Sequence, residues 1–342
     1  MPELENLKPA VSETPETSGN GSSQCNLCGA ADYEVLARKG RDREPLNTVI
    51  CKKCGLVWSH PFPIDPQQYY QKHYRILYKG TYTPKKKHIF RNARVALGRF
   101  KLLRHLLKPG WRTLEVGSGG GEFLYLLKKL GCDARGIEPN EGYAEYARKE
   151  YDLNITTGFL QNTEFEKNSF NLVTMWHVFE HMDNPSYILR KVHGFLAPEG
   201  LLIIEVPNIE ATCASPQNTF HIAHLYNFNR FTLRKMAERA GFSMIEETMG
   251  RDGGNIFQYF KKDGPASREI QCEIEGNYQR IKNVIDRWTP LKYYFSSYPY
   301  SRVLSKVRQF FREKDASDEY TGGREILDHL MEDINENSLS QN

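Results

Sequence analysis

Two groups of residues in this chain of 342 have the types and spacing to do chemistry. The first is His177, Glu180 and His181, at i, i+3 and i+4, followed later by His221 and His224. If that turn is helical, the first three share one face. Imidazole and carboxylate can take a proton from a hydroxyl at neutral pH, contributing ~10² to 10⁴ in rate. They can also hold a divalent metal that lowers an acceptor's pKa. His177, Glu180, His181 and His224 are therefore the candidate catalytic residues, and general base, metal ligand and plain hydrogen bonding at strand ends are the readings left open. The second group is Glu115-x-Gly117-Ser118-Gly119-x-Gly121, with another carboxylate, Glu138, seventeen residues after Gly121. Glycines at a strand's end let the backbone approach a ligand where any Cβ would collide, and they aim helix N–H groups at it. The spacing to Glu138 suits the hydroxyls of an adenosine ribose.

The apolar run Thr113, Leu114, Val116 stops at Gly117, after which Phe123, Leu124, Leu127 and Leu130 recur at helical spacing. With a second strand over Ala134 to Ile137, this is a βαβ unit. Further strands are expected over 154–157, 171–176, 201–206, 243–248 and 255–260, and helices over 185–196 and 232–240. The sum is an α/β protein: a doubly wound, seven-stranded, mostly parallel sheet. Ligands of such sheets bind outside the carboxyl ends of the strands, so Glu115, Glu138, Phe159, Trp176 and His177 should line one rim.

Three nucleotide readings compete for the glycine turn. A phosphate-cradling loop needs Gly-Lys-Ser/Thr, and Gly121-Glu122-Phe123 excludes it. The dinucleotide fingerprint would put its third glycine at position 122, where Glu122 is an anion beside the expected pyrophosphate. A ligand with adenosine and no phosphate remains, beside the plain alternative of a glycine-rich turn in an ordinary α/β protein. The glycine pattern with Glu138 resembles the first two motifs of class I S-adenosylmethionine-dependent methyltransferases. The likeness continues through Phe159-Leu160, Trp176 to His181 and Leu201 to Asn208, about half the chain. It implies a Rossmann-like fold in which the glycine turn faces the methionine part of S-adenosylmethionine and Glu138 takes the ribose hydroxyls. The implied cofactor-binding residues are Glu115, Gly117, Ser118, Gly119, Gly121, Phe123, Glu138, Pro139, Asn140, Tyr143, Phe159, Leu160 and Trp176. Many such enzymes hold the adenine amino group with an acidic residue; here Gln161 and Asn162 stand nearby, leaving adenine to backbone groups and to Phe159 or Leu160. Related O-methyltransferases of ubiquinone biosynthesis and of small-RNA 3′ ends carry Glu-x-x-Glu-His and a later His around a metal. In this chain His177 stands where the first Glu would be.

Cys25-x-x-Cys28-Gly and Cys51-x-x-Cys54-Gly form two knuckles at zinc-ribbon separation. Four thiolates leave no open position, so Cys25, Cys28, Cys51 and Cys54 are expected to hold a structural Zn2+. Disulfides and a redox pair are weaker readings, because Cys132, Cys213 and Cys272 follow no pattern.

The composition, 39% hydrophobic and 26% charged, is that of a globular protein, and no apolar run approaches a membrane span. A cytoplasmic location is expected. The expected divisions are a disordered tail over 1–22, the zinc ribbon over 23–62, a linker over 63–83, the methyltransferase domain over 84–262, a helical extension over 263–330 and a disordered tail over 331–342. A helix is expected over 267–288, and a basic amphipathic one around 301–311 that docks on the protein or on a lipid surface as a peripheral membrane contact. From Pro84 to Arg112 there are ten Lys or Arg and no acid. This run is either a solvated face or a surface that places Lys85, Lys86, Lys87, Arg91 and Arg94 near an acceptor's phosphate. The expected acceptor is a small molecule or glycan, in particular a hydroxyl of a glycan, nucleotide-linked or lipid-linked sugar. RNA methylation, sugar C-methylation and a non-catalytic binding module are the alternatives; a net charge of +4 does not by itself imply nucleic acid. No residue pattern bears on oligomeric state.

Overall fold

Period-2 alternation through the knuckle region forms three short antiparallel strands, β1 (Tyr33–Lys39), β2 (Pro45–Cys51) and β3 (Val57–Ser59). In this computed structural model residues 23–64, Tyr69 and 84–339 are described, with backbone alone at 314–319 and 333–339. The tail expected over 1–22 and most of the linker over 63–83 lie outside the described residues. Along β2 and β3, Val49, Cys51 and Trp58 enter one core while Ile50 and Val57 enter another. Both faces of this small sheet are thus covered by the rest of the chain. Its outer edge is completed by β9 (Tyr226–Asn227), a two-residue strand from the segment that carries His221 and His224.

The central sheet comprises β4 (Arg112–Val116), β5 (Asp133–Glu138), β6 (Asn154–Thr157), β7 (Phe170–Trp176), β8 (Leu196–Pro207), β10 (Phe242–Met249) and β11 (Asn255–Lys262). Their spatial order is β10-β11-β8-β7-β4-β5-β6, and β11 pairs antiparallel with both of its neighbours. This is the doubly wound Rossmann-like arrangement expected from the sequence. The order reverses between β4 and β7, so the glycine turn after β4 and Trp176-His177 after β7 flank the switch point, where such sheets bind ligands.

Helices α1 (Lys86–Leu103), α2 (Glu122–Lys129) and α3 (Glu141–Tyr151) cover one face through Leu97, Phe100, Leu124, Ala144 and Ala147. Helices α4 (Pro185–Phe195) and α5 (Arg230–Arg239) cover the other through Ile188, Val192, Leu233 and Met236. Side chains at the caps fix where three of these helices begin. Asn140 and Asn184 accept the backbone N–H of Tyr143 and Tyr187, and Asn229 forms a capping box with Thr232.

The C-terminal region departs from expectation in three places. The helix expected over 267–288 is α6 (Asn277–Arg287) alone. Before it, Ile270, Cys272 and Ile274 alternate inward with exposed Glu269, Gln271, Glu273 and Glu275. That period-2 strip lies extended, with Cys272 and Ile274 against the core that contains the four cysteines. After α7 (Pro290–Tyr294), α8 (Tyr298–Glu319) carries the expected amphipathic segment, but its apolar stripe is exposed. Finally α9 (Gly323–Leu339) continues helically where a tail was expected from residue 331, anchored by buried Ile326 and Leu327 against the same core as α1, α2 and α3. Asn277, at the start of α6, ties three parts together: it donates to Cys54 O at 2.8 Å and accepts from Asn229 Nδ2 at 2.6 Å.

Candidate cofactor cleft and proton-transfer site

The glycine turn is built by the backbone of β5. Gly117 and Ser118 both donate to Ile137 O, at 2.8 and 3.0 Å. Glu138 then clamps the turn: Oε2 accepts Gly119 N–H at 2.7 Å and Oε1 accepts Asn140 N–H at 3.0 Å, in a buried position. Glycine is required at two positions in particular. Gly117 has φ +71°, and a Cβ there would lie 2.5 Å from Val178 Cγ2. Gly121 has φ +84°, and a Cβ there would meet Leu153 at 2.7 Å and Ala147 at 2.9 Å.

Of the other expected cofactor residues, Phe123 and Trp176 pack edge-to-face at 5.3 Å, and Arg99 lies 4.9 Å over the Trp176 ring. Tyr143 and Leu160 are buried, whereas Pro139 and Phe159 stay half-buried at the ends of β5 and β6. Glu115 Oε2 and Ser118 Oγ are buried without a hydrogen-bond partner among the described residues. Burial raises the Glu115 carboxyl well above the usual range; Arg99 opposes this, while Glu122 and Glu138 add to it. A turn whose Gly117 and Gly121 leave no room for a Cβ, beside unmatched buried oxygens and the Glu138 carboxylate, fits an adenosine-bearing ligand.

The candidate catalytic residues converge, but not on an α-helix. His177 adopts the left-handed region at φ +55°, and a single 3-10 turn over Phe179–His181 follows. Glu180 is brought between the two imidazoles, its Oε1 lying 3.4 Å from His177 Nδ1 and 3.7 Å from His181 Nε2. His181 Nδ1 lies 2.6 Å from Ala223 O, so Nδ1 carries the proton and donates it, and Nε2 is the unprotonated nitrogen of the neutral ring. The His224 ring is 5.0 Å from that of His181, and His221 is 5.1 Å from His224. Glu180, His181 and His224 each offer a ligand atom within 4.8 Å of the others, and both Glu180 oxygens are buried without a hydrogen-bond partner among the described residues.

Three members of this cluster escaped the sequence reading. Glu205 on β8 accepts from Asn255 Nδ2 at 2.8 Å, pairs with Arg99 at 2.7 Å and lies 3.0 Å from His177 Nε2; its carbonyl accepts the His177 N–H at 2.9 Å. A lone carboxylate within Leu201-Leu-Ile-Ile-Glu-Val206 was the available signal. Arg91, expected near an acceptor's phosphate, is instead bound in bidentate fashion by Glu313 on α8 at 2.6 and 2.8 Å. Lys85, Lys86, Lys87 and Arg94 remain exposed.

The electrostatics assign different protonation states. For His177, burial opposes the charge, but Glu180 and Glu205 outweigh it and push the imidazole up to about 9. For His181, burial lowers the value against the pull of Glu180; for His224, burial lowers it further. His177 is therefore a cation at neutral pH, while His181 and His224 are neutral.

In the small N-terminal sheet, Cys25 Sγ and Cys54 Sγ lie 3.4 Å apart, as do Cys28 Sγ and Cys51 Sγ. Four sulfurs at about 2.3 Å from zinc would sit roughly 3.8 Å from one another, so the donor set suits a tetrahedral metal. The knuckle turns are closed by Gly29 N–H to Cys25 O and Gly55 N–H to Cys51 O, at 2.8 and 2.9 Å.

Comparison with known proteins agrees with the cleft. Residues 87–247 match the family model described as a methyltransferase domain. Those residues form a domain of the class I S-adenosylmethionine-dependent methyltransferase kind. The C-methyltransferase NovU of Streptomyces niveus is 25% identical over 274 residues, covering 73% of this chain and 63% of that protein. A ubiquinone biosynthesis O-methyltransferase of Actinobacillus pleuropneumoniae serotype 7 is 27% identical over 135 residues, covering 32% of this chain and 57% of the relative. The chain thus spans about three-fifths of the length of these curated relatives. The solved S-adenosylmethionine-dependent methyltransferase from Mesorhizobium loti covers 47% of this chain and 96% of its own, at 13% identity and TM-score 0.41.

The methyltransferase domain's His177 makes a pH prediction. A raised folded-state pKa contributes stability that is fully present below about 6.5 and is lost as pH rises through about 9. His177→Asn, which tolerates the left-handed backbone, should remove that pH dependence. Melting temperatures of both proteins on either side of this window are the check: the gap between them should narrow as pH rises, and a constant gap would mean that His177 carries no charge.

Proposed function

We propose that this protein transfers the methyl group of S-adenosylmethionine to a hydroxyl of a glycan or of a nucleotide-linked or lipid-linked sugar. The observation that carries this reading is the neutral His181, whose Nδ1–H is committed to Ala223 O and whose Nε2 faces the anionic Glu180. When bound, the cofactor supplies an electrophilic methyl group and its leaving group. The chain's residues do the rest. Glu138 and the turn 117–121 hold the adenosine and methionine ends; His181 Nε2 takes the acceptor's proton; and Glu180 stabilises the imidazolium that forms. Protonated His177, fixed between Glu180 and Glu205, keeps two buried carboxylates from repelling one another.

Two observations support second readings. The NovU relative, a C-methyltransferase, aligns over more of this chain than the O-methyltransferase does, and abstraction of a proton from carbon would use the same base. The ligand atoms of Glu180, His181 and His224 could also hold a divalent cation near the acceptor. RNA methylation and a purely non-catalytic binding role find no specific support among the described residues. We further propose that Cys25, Cys28, Cys51 and Cys54 hold a structural zinc.

Turnover is measured with isotopically labelled cofactor and sugar acceptors, and the methyl carbon's NMR shift tells an ether from a carbon branch. His181→Ala should lower turnover by at least ~10² while cofactor affinity stays nearly unchanged; full activity would refute the base. Elemental analysis addresses the metals. One zinc per chain, lost in Cys51→Ser, is expected, and a second equivalent lost in His224→Ala would favour the cation-assisted reading. Metal-free wild type of equal stability would refute the ribbon zinc.

A further inference from the structure

Helix α8 is turned inside out. Tyr300, Val303, Leu304, Val307, Phe310 and Phe311 form one stripe at helical spacing, and each is between 49% and 64% exposed. The opposite, polar face is the one seated on the protein: Glu313 is buried and held by Arg91 of α1, with Gln309 donating to it at 2.5 Å. The neighbouring α7 adds Leu291, Tyr294 and Phe295, the last 84% exposed. Nine of the fifteen large hydrophobic residues exposed in the described structure fall between 291 and 311, so this is a patch and not scatter.

Its charge is as one-sided as its polarity. From Trp288 to Arg312 there are five Lys or Arg and no Asp or Glu. Lys306 and Arg308 border the apolar stripe on its two sides, and among the described residues none of the five cations makes an ion pair. A second copy of the chain would set cations against cations across a two-fold axis, with no acid in the patch to offset them. An uncharged apolar partner would leave the cations desolvated and unmatched. A surface that offers anions in one layer and hydrocarbon immediately beneath meets both needs.

We infer that α7 and α8 dock this protein in the plane of an anionic lipid membrane, with Phe310, Phe311 and Leu304 in the boundary between headgroups and acyl chains and Lys306 and Arg308 among the lipid phosphates. No described helix is long and apolar enough to cross a membrane, so the contact is peripheral. The docked helix is fixed to α1, the helix whose Arg99 pairs with Glu205 and covers Trp176 at the cleft. The methyltransferase site is thereby held beside the lipid surface.

The test uses the full chain and sedimentation with vesicles of phosphatidylcholine alone or mixed with phosphatidylglycerol, alongside light scattering to read oligomeric state. Binding to the mixed vesicles, weakening with added salt, is expected, with little binding to phosphatidylcholine alone. Lys306→Gln with Arg308→Gln should weaken it roughly 25-fold, about fivefold for each cation. Phe310→Glu with Phe311→Glu should weaken it by about tenfold or more, with an unchanged melting temperature because both side chains are exposed. Equal binding to both vesicle types, absence of binding, or a dimer that Phe310→Glu dissolves without any vesicle binding would each overturn the inference. Should a variant fail to fold, the lipid and salt dependence of the wild type decides alone.

Discussion

Two backbone N–H groups donate to the buried carboxylate of Glu138, one to each oxygen, and burying that group without such donors would be costly. The arrangement links the three parts of the cleft, because one bond fixes the glycine turn after β4 and the other fixes the start of α3 after β5. The turn cannot relax toward ordinary helix entry without stranding that charge. The glycines at 117 and 121 are the conformational counterpart: they allow a path that passes within contact distance of Val178, Ala147 and Leu153.

The cluster of His177, Glu180, His181 and His224 rests on a different support. His221 and His224 lie on a segment whose continuation, Tyr226–Asn227, is the outermost strand of the cysteine-bearing sheet. Ser59 donates its N–H to Leu225 O at 2.9 Å, next to His224 itself. Phe179, from the same turn as Glu180, stacks on Phe228 at 5.2 Å, and Trp58 joins that core. The cysteine-bearing sheet is therefore a wall against this cluster, and a metal held by its four cysteines, as proposed, would also steady the distance between His181 and His224. Elsewhere, the bidentate pair between Arg91 and Glu313 holds α8 against α1.

Features encoded over a few residues were legible from sequence: the glycine turn, the alternation of strands and helices, the cysteine knuckles and the grouping of His177, Glu180 and His181. Each depends on local conformation or on a spacing that one element preserves. What escaped depends on pairing between distant segments. Glu205 and Asn255 meet His177 only because β8 and β11 are neighbours in space. A two-residue strand such as Tyr226–Asn227 has no periodicity to detect. The strip from Ile270 to Ile274 did carry a period of two, but helix-forming glutamates masked it. The apolar stripe of α8 was visible; its outward orientation was not, since that is set by Arg91, over two hundred residues earlier.

The central claim, that the turn and Glu138 bind an adenosine-bearing cofactor without phosphate, is most directly tested by calorimetric titration of the purified chain with S-adenosylhomocysteine and with NAD. One site per chain for S-adenosylhomocysteine is predicted, and Glu138→Ala, checked for an intact fold, should weaken it by about 2 to 3 kcal/mol, roughly 30- to 150-fold. Tighter binding of NAD than of S-adenosylhomocysteine, or an unchanged affinity in Glu138→Ala, would contradict the account.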